Sequence, residues 1–239
     1  GTNRSQQEQD TILYKDVNGL RFAFLSYTYG TNGIPMPEPY LVNLIDNDRM
    51  VRQISEAREN ADVVVVMPHM GNEYESTPRQ VFVDWADLMF ASGADIVLAS
   101  HPHVLQRMEY RKLDHGDGEH DGFIIYSLGN FISSQTTPPR NASIVLHLTV
   151  EKVGNEPPNV REVSFVPIWT QFRSAADVNH FVVRSVYEML SLPQPELDQT
   201  VRRKDQNRLR EIHKETACFL LDRDIPLEEM QEEYVFPKP

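Results

Sequence analysis

The chain has 239 residues, 40% of them hydrophobic, which is enough for one large domain or for a domain with a helical appendage. Its formal net charge of -12 argues against nucleic acid as a main partner, because phosphate binding needs a basic surface. Its single cysteine, Cys218, excludes an intramolecular disulfide and a CxxC metal site, and no stretch has the roughly 20 apolar residues that cross a bilayer.

The chain begins with a polar segment and a predicted hairpin. Residues 1–11 are polar and show no hydrophobic pattern, so we expect a disordered lead. Residues 12–14 and 20–27 predict two antiparallel strands, because Asn18-Gly19 between them is a preferred two-residue hairpin turn.

A loop and a helix come next. Residues 30–40 include three prolines, which exclude regular structure, and the loop is long enough to border a binding site. Asp46 or Asn47 can cap a helix that runs to about residue 60 with its apolar residues on one side.

The central part of the chain predicts a strand, a helix and a second strand. Residues 63–67 and 96–99 are short apolar runs, typical of parallel strands that are buried on both faces. Between them, Thr77 is a preferred N-cap, Pro78 suits the first helical position, and Gly93 suits the end of the helix. A right-handed crossover then places the carboxyl ends of both strands at one edge of the sheet.

Histidines follow both of these strands. His69 follows the first strand, and His101 and His103 follow the second with a spacing that aims both side chains to one side of an extended chain. Ligands of open α/β sheets bind at this edge, so three imidazoles predict a site for zinc, manganese or iron with an open position for water. Glu73 can orient a ligand or act as a general base, and Asn130 can point an amide into the same cleft.

The structural alternative is that these histidines only form hydrogen bonds, as a single histidine more often does. Three of them at the ends of two neighbouring strands favour a metal or catalytic site. The other five histidines predict surface positions: two lie in an acidic, glycine-rich loop, one on the wet face of a strand and two on helices. These are His115, His120, His147, His180 and His213.

The second half of the chain predicts further strands and then helices. Residues 123–127 predict a third buried strand, and the alternation over residues 144–150 predicts an antiparallel strand that pairs with residues 160–168. Residues 178–190 and 196–220 show a helical pattern. The second helix carries a basic cluster, for which a solvated face is the default and a polyanion contact is the alternative: Arg202, Arg203, Lys204, Arg208 and Arg210.

Four segments in order carry a family resemblance. They are NGLRFAFLSYT at 18–28, HMGNEY at 69–74, ASHPHVLQ at 99–106 and YSLGNF at 126–131. The chain resembles the capsule-synthesis CapA family, the poly-γ-glutamate biosynthesis proteins related to calcineurin-like metallophosphoesterases, whose motifs are HWGxEY, GxHPHVxQ and YSLGNF. Met70 stands where the family has tryptophan, and Ala99 stands where it has glycine.

The resemblance implies a fold and a domain organisation. It implies a metallophosphoesterase-like α/β sandwich, of which residues 12–170 resemble the C-terminal half, followed by a helical C-terminal appendage at 171–239. The family's GD and NNH motifs, which supply acidic, amide and histidine ligands, have no counterpart here. We therefore expect a fragment, a cleaved product or one of two complementary chains, with the missing N-terminal half as a partner.

The resemblance also implies a function. His69 matches the histidine of the penultimate metallophosphoesterase motif, and His101 and His103 match the final HxH pair. These three residues are the expected ligands of a divalent transition metal, His69, Glu73 and His103 are the candidate catalytic residues, and Asn72 and Asn130 complete the expected pocket. The family role has no established catalytic activity attached to it, so a metal-dependent, phosphoesterase-like hydrolase is expected for the complete protein from this site alone, and we expect the isolated chain to be inactive.

The expected process is the synthesis, export or anchoring of a poly-γ-glutamate capsule at the bacterial surface. Expected partners are the anionic polymer or capsule synthase subunits, and a membrane only through an anchor upstream of this otherwise soluble chain. The alternative to a hydrolase is a non-catalytic assembly component that binds the polymer or its synthase.

Overall fold

The computed structural model describes residues 1–175 and 178–239, which form a mixed α/β fold with two β-sheets. The strands are β1 (Leu13–Val17), β2 (Leu20–Thr28), β3 (Val63–His69), β4 (Ile96–Leu98), β5 (Met108–Asp114), β6 (Glu119–Ile125), β7 (Ala142–Glu151), β8 (Asn159–Ala175), β9 (Val178–Ser185) and β10 (Tyr234–Phe236). The helices are α1 (Gln6–Asp10), α2 (Asn47–Asn60), α3 (Gln80–Ala91), α4 (Val186–Ser191), α5 (Gln194–Thr200), α6 (Arg203–His213) and α7 (Phe219–Leu221), with a π-helical turn at Lys214–Cys218 and a 3-10 turn at Leu227–Glu229.

The central sheet has six strands in the order β1-β2-β3-β4-β6-β5. The four inner strands run parallel, and β1 and β5 pair antiparallel at the two edges. The predicted hairpin between β1 and β2 is confirmed, with Asn18 and Gly19 in the left-handed conformation at φ 50° and 85°. The predicted parallel strands at 63–67 and 96–99 are also confirmed.

The central sheet is covered on both faces, as its unalternated valine run predicts. Val64 and Val66 of β3 pack against α2 and α3, including Ile54 and Met89. Val63 and Val65 of the same strand face the opposite way, into a core shared with the second sheet. The fold is therefore an α/β sandwich of a helical layer, a mixed sheet and an antiparallel sheet.

The second sheet consists of β10, β8 and β7 in that order, with β9 also paired to β8. The predicted pairing of residues 144–150 with 160–168 is confirmed by the antiparallel register of β7 and β8, in which Leu146 lies opposite Phe165. The boundary expected at residue 170, between the metallophosphoesterase-like region and the helical appendage, falls inside β8. This strand continues to Ala175 and pairs with β9.

The helix expected at 178–190 is wrong over its first part, where the structure has β9. The segment contains Phe181-Val182-Val183, which favours a strand once a partner is present, and the long β8 supplies that partner. Phe181 packs on Phe172 across the ladder, with ring centroids 5.3 Å apart. His180, expected on a helix surface, is exposed on β9 instead.

The helix expected at 196–220 is interrupted. α5 ends before Val201, whose backbone is extended and whose side chain is fully buried. α6 then starts at Arg203, and the chain continues through the π-helical turn that contains the partly buried Cys218. Among the described residues, no helix is both long and apolar enough to cross a membrane.

The N-terminal segment differs from the expected disordered lead because residues 6–10 form α1. Ser5 caps this helix by accepting a hydrogen bond from the Glu8 N–H at 3.2 Å. Gln9 is buried, and its carbonyl accepts a hydrogen bond from Gln53 of α2 at 2.9 Å. A polar sequence thus docks through hydrogen bonds that hydrophobic periodicity does not reveal.

Three of the five histidines expected on the surface have buried side chains, so those predictions are wrong. His213 shares a hydrogen bond of 3.0 Å with the Ile225 carbonyl and is 1% exposed. The side chains of His115 and His120 pack against the carboxylate of Asp95, which precedes β4. A buried carboxylate needs polar neighbours, and both imidazoles lie within 3.5 Å of it. His147 does lie on the wet face of β7, beside Glu233.

Candidate metal centre

The loops after β3 and β4 are joined by backbone hydrogen bonds. The Met70 N–H donates to the Ser100 carbonyl at 2.8 Å, and the Tyr74 N–H donates to the Pro102 carbonyl at 2.8 Å. Because the two parallel strands are neighbours, these bonds fix the loop after His69 against the segment that carries His101 and His103.

The close approach of the two loops requires glycine at position 71. Gly71 has φ 123°, and a Cβ built there would lie 2.7 Å from Cγ of Pro102. Both the positive φ and the lack of space exclude an ordinary side chain. The small residue in HMGNEY therefore sets the distance between the loops.

The site contains backbone strain at residues other than glycine. His101 has φ 115°, His103 has φ 62°, and Tyr74, which is hydrogen-bonded to the segment between them, has φ 67°. Such conformations cost of order 1–3 kcal/mol each and are concentrated at functional sites. Pro102 lies between the two histidines and is buried, so the turn is held by its surroundings.

Glu73, His101 and His103 bring one ligand atom each within 4.8 Å of one another. Glu73 Oε1 lies 3.7 Å from Nε2 of His103. His69 is outside this set of three, but its ring lies beside that of His101 with centroids 4.7 Å apart. The Tyr29 ring, at the end of β2, covers His101 at a centroid distance of 4.4 Å.

Asn130 orients His103. Its side-chain N–H donates to the Arg140 carbonyl at 2.9 Å, so its oxygen faces Nδ1 of His103 at 2.9 Å. The His103 Nδ1–H must therefore donate to Asn130, so the neutral form of the ring has its lone pair on Nε2, the atom that faces Glu73. This is how metal-binding histidines are usually held in proteins.

Comparison with known proteins identifies the family. The sequence profile of the bacterial capsule synthesis protein PGA_cap matches residues 1–135, more than half of the chain. The match includes His69, Glu73, His101, His103 and Asn130. The chain belongs to this capsule synthesis family. The match confirms the resemblance seen in the sequence motifs.

Two curated CapA proteins show the extent of the similarity. The chain is 35% identical over 156 residues to the capsule biosynthesis protein CapA of Bacillus anthracis, covering 62% of this chain and 36% of that protein. It is 33% identical over 165 residues to the PGA biosynthesis protein CapA of Bacillus subtilis (strain 168), covering 66% of this chain and 41% of that protein. The chain thus matches well under half the length of these CapA relatives.

One solved structure aligns with the chain only weakly. The crystal structure of a hypothetical protein from Thermus thermophilus aligns with a TM-score of 0.33 and 14% identity, over 73% of this chain and 61% of that one.

Electrostatics at the centre of this PGA_cap chain favour the neutral form of His69 and His101. Burial lowers the pKa of His69, and the nearby His103 lowers it further. Burial also lowers the pKa of His101, and the neighbouring His69 and His103 act in the same direction while Glu73 opposes them. Neutral imidazole is the form that binds metal ions.

The centre is open to solvent on one side. His69 and Glu73 are exposed, whereas His101 is 8% exposed. Beside His69 lies a cavity of about 440 Å³, lined by Tyr29 and by residues of the loop that follows it. The proline-rich loop at 30–40, expected to border a site, therefore forms a wall next to the centre.

The remaining predicted residues differ in their contacts. Asn72 donates to Glu75 Oε2 at 3.2 Å, and Glu75 in turn pairs with Arg79. α3 begins at Gln80 after Arg79, so Thr77 is not the N-cap that the sequence predicted. The residues at 72–79 instead form a loop held by side-chain hydrogen bonds.

Arg208 of the predicted basic cluster is structural. It is 8% exposed, and its guanidinium donates to Asn141 at 2.9 Å and to Glu215 at 2.7 Å. Arg202 pairs with Asp205 at 2.8 Å. These contacts explain why basic residues occur in a helix with interspersed acids.

Tyr29 and Ser100 are site residues that sequence reasoning missed. Ser100 Oγ lies 3.2 Å from Nδ1 of His69, and Tyr29 covers both His69 and His101. The available signal for Tyr29 was its position just after a predicted strand, since that strand pairs in parallel with β3. Only the pairing of β2 with β3 shows that the two strand ends meet.

Proposed function

We propose that this protein acts in the synthesis of a poly-γ-glutamate type capsule and that its Glu73, His101 and His103 cluster binds a divalent transition metal ion. Family membership supports the capsule role. The observation that carries the metal proposal is the convergence of three ligand atoms within 4.8 Å at the carboxyl edge of the parallel strands.

The donor set suits such an ion. Two imidazoles and one carboxylate are ligands that zinc, manganese and iron accept, and fewer than four protein ligands leave a position for water or substrate. The hydrogen bond from His103 to Asn130 presents Nε2 as an acceptor, and the strained turn holds both histidines before any ion binds. Glu73, which the sequence suggested as a supporting residue, is close enough to be a ligand.

A bound ion would supply either an activated water or a Lewis acid for a phosphoryl or carbonyl oxygen. The chain's own residues would position the substrate. His69 is exposed beside His101, and its Nδ1 is engaged by Ser100, so its Nε2 is the atom left for an anionic substrate or for the ion. The tilted Tyr29 ring covers one side of His101 and limits the access of water to it.

The capsule role also supports a proposal for the location of the protein and for its binding partners. A capsule polymer lies outside the membrane, so we place the protein at the extracytoplasmic surface, in contact with the anionic polymer or its synthase. The net charge of -12 repels a polyanion, so a bound cation is the feature that would attract one.

The test is metal binding by the purified, metal-stripped chain. We expect Mn²⁺ or Zn²⁺ to bind, and the double substitution H101A/H103A to remove one equivalent, as measured by elemental analysis after gel filtration. H147A is the matched control, because His147 is exposed on β7 of the second sheet, where it pairs with Glu233. An H101A/H103A variant that binds as much metal as the unmodified chain would refute the proposal.

A second measurement separates a hydrolase from an assembly component. The metal-loaded chain is assayed with a chromogenic phosphodiester and, separately, for binding of polyglutamate over a range of salt concentrations. Turnover that H103A abolishes supports a hydrolytic site. Polymer binding that depends on the metal, without turnover, supports the non-catalytic role.

A further inference from the structure

A second group of side chains that can bind a metal lies at the amino ends of the parallel strands of the central sheet. Asp95 directly precedes β4, His115 lies in the turn between β5 and β6, and His120 is the second residue of β6. One ligand atom from each of these residues lies within 4.8 Å of the others. The group is separate from the metal centre, which lies at the carboxyl ends of the same strands.

Asp95 supplies a buried carboxylate with one oxygen turned toward the two imidazoles. It is 2% exposed, and its Oδ2 accepts a hydrogen bond from the Val64 N–H at 2.6 Å. Arg58 Nη1 donates to both oxygens, at 3.1 and 3.0 Å. Burial alone raises the pKa of Asp95, but the two imidazoles, Arg58 and the Val64 N–H outweigh it and lower the pKa overall. The carboxylate is therefore ionised.

His120 faces an acceptor on each side of its ring. Nδ1 lies 3.1 Å from the Gly118 carbonyl, which requires an N–H at that position. Nε2 lies 3.0 Å from Oδ1 of Asp95. A neutral imidazole has one N–H, so Nε2 meets the carboxylate with a lone pair unless a cation lies between them.

The contacts of His115 distinguish a proton from a metal ion as the cation between these residues. Its side chain is 8% exposed, and its Nε2 lies 3.5 Å from Oδ1 of Asp95. This nitrogen is buried and makes no hydrogen bond to any described residue. A second proton on His120 would satisfy His120 and Asp95 but would leave Nε2 of His115 with only a long contact of 3.5 Å to Asp95. A metal ion among the three atoms satisfies all of them at once.

We propose that Asp95, His115 and His120 bind a zinc-type transition metal ion that fastens the β5–β6 turn to the start of β4. The two histidines are separated by four residues, a spacing found in zinc sites, and the Gly118 carbonyl orients His120 as second partners orient metal ligands. Beside His120 lies a cavity of about 600 Å³ lined by Asp117, Glu119 and Glu156. Its negative charge attracts cations to the site.

The test uses the full chain with H101A/H103A as background, so that the first metal centre is removed. We expect this variant to retain one equivalent of Zn²⁺ after metal stripping, reloading and gel filtration. We also expect Zn²⁺ at 100 times its Kd to raise the melting temperature by about 5–10 °C. Adding H115A should abolish both effects, whereas adding H147A should change neither. A background variant that binds no Zn²⁺ and melts at the same temperature with and without it overturns the proposal.

A spectroscopic measurement does not depend on the folding of the H115A variant. Co²⁺ titrated into the H101A/H103A chain should give the strong visible absorption of a four- or five-coordinate ion with nitrogen and oxygen ligands. A spectrum that remains that of hydrated Co²⁺ also overturns the proposal.

The two sites can fail independently. One equivalent in the unmodified chain that persists in H101A/H103A supports the Asp95 site and counts against the proposed function. One equivalent of metal in the unmodified chain that disappears in H101A/H103A supports the proposed function and counts against the Asp95 site.

Discussion

Replacing Asn130 with alanine tests how the metal centre is organised. In the structure, Asn130 accepts the hydrogen bond from Nδ1 of His103 at 2.9 Å and is itself fixed by the Arg140 carbonyl at 2.9 Å. N130A removes the group that holds the ring and selects its tautomer, but it removes no ligand. N130A should therefore weaken metal binding only because the His103 ring is no longer held in the orientation that binds the ion.

The expected magnitude follows from substitutions of this kind in other metal sites. Removing a group that orients a ligand weakens metal affinity by about 10- to 100-fold, which corresponds to about 1.4–2.7 kcal/mol. The lost hydrogen bond to Arg140 should in addition lower the free energy of unfolding by about 1 kcal/mol. The variant should therefore remain folded while its affinity falls.

The assay is competition with a chromophoric chelator, applied to the metal equivalent that H101A/H103A removes. N72A is the matched control, because Asn72 is also an asparagine of the loop region but donates to Glu75. We expect N72A to bind within about threefold of the unmodified chain. Equal affinities for N130A and the unmodified chain would refute the role assigned to Asn130.

Two further substitutions test the loops and the tail. G71A should lower the free energy of unfolding by about 2–3 kcal/mol and weaken metal binding, because its Cβ would lie 2.7 Å from Cγ of Pro102 at φ 123°. The control is G154A, where φ is also positive but the surrounding space is open, and it should lower the free energy of unfolding by about 1 kcal/mol in urea denaturation. Equal losses in the two variants would argue against the clash with Pro102. Burial raises the pKa of Asp121, but its lysine contacts, including Lys238 at 2.8 Å, lower it overall. This stabilisation is present above the usual aspartate pKa of about 3.9 and is lost as the pH falls through the lower folded-state value, so D121N should cost about 1 kcal/mol at neutral pH and less near about pH 3. A loss that is the same at both pH values would contradict the assignment.

The strands of the central sheet could be predicted because each has a local signal. The valine run of β3 and the Asn18-Gly19 turn are each explained by neighbours in sequence. The convergence of His69 with His101 follows from the same signals, since loops after adjacent parallel strands must meet. Which of these histidines would share a ligand set with Glu73 depends on the strained turn and could not be predicted.

The features that the sequence did not predict depend on contacts between distant residues. His115 and His120 lie in a charged, glycine-rich stretch that is typical of surface loops, yet both side chains are buried against Asp95. β9 has a helical pattern in isolation and becomes a strand because β8 extends far enough to pair with it. Local composition cannot show where a buried carboxylate or an unpaired strand edge will be.

The most direct test of the metal centre is a crystal structure of this chain grown with Mn²⁺ or Zn²⁺, with anomalous data collected at the absorption edge of the metal. We predict an anomalous peak about 2.0–2.2 Å from ligand atoms of Glu73, His101 and His103. A metal-saturated crystal with no peak among these three residues would contradict the central claim.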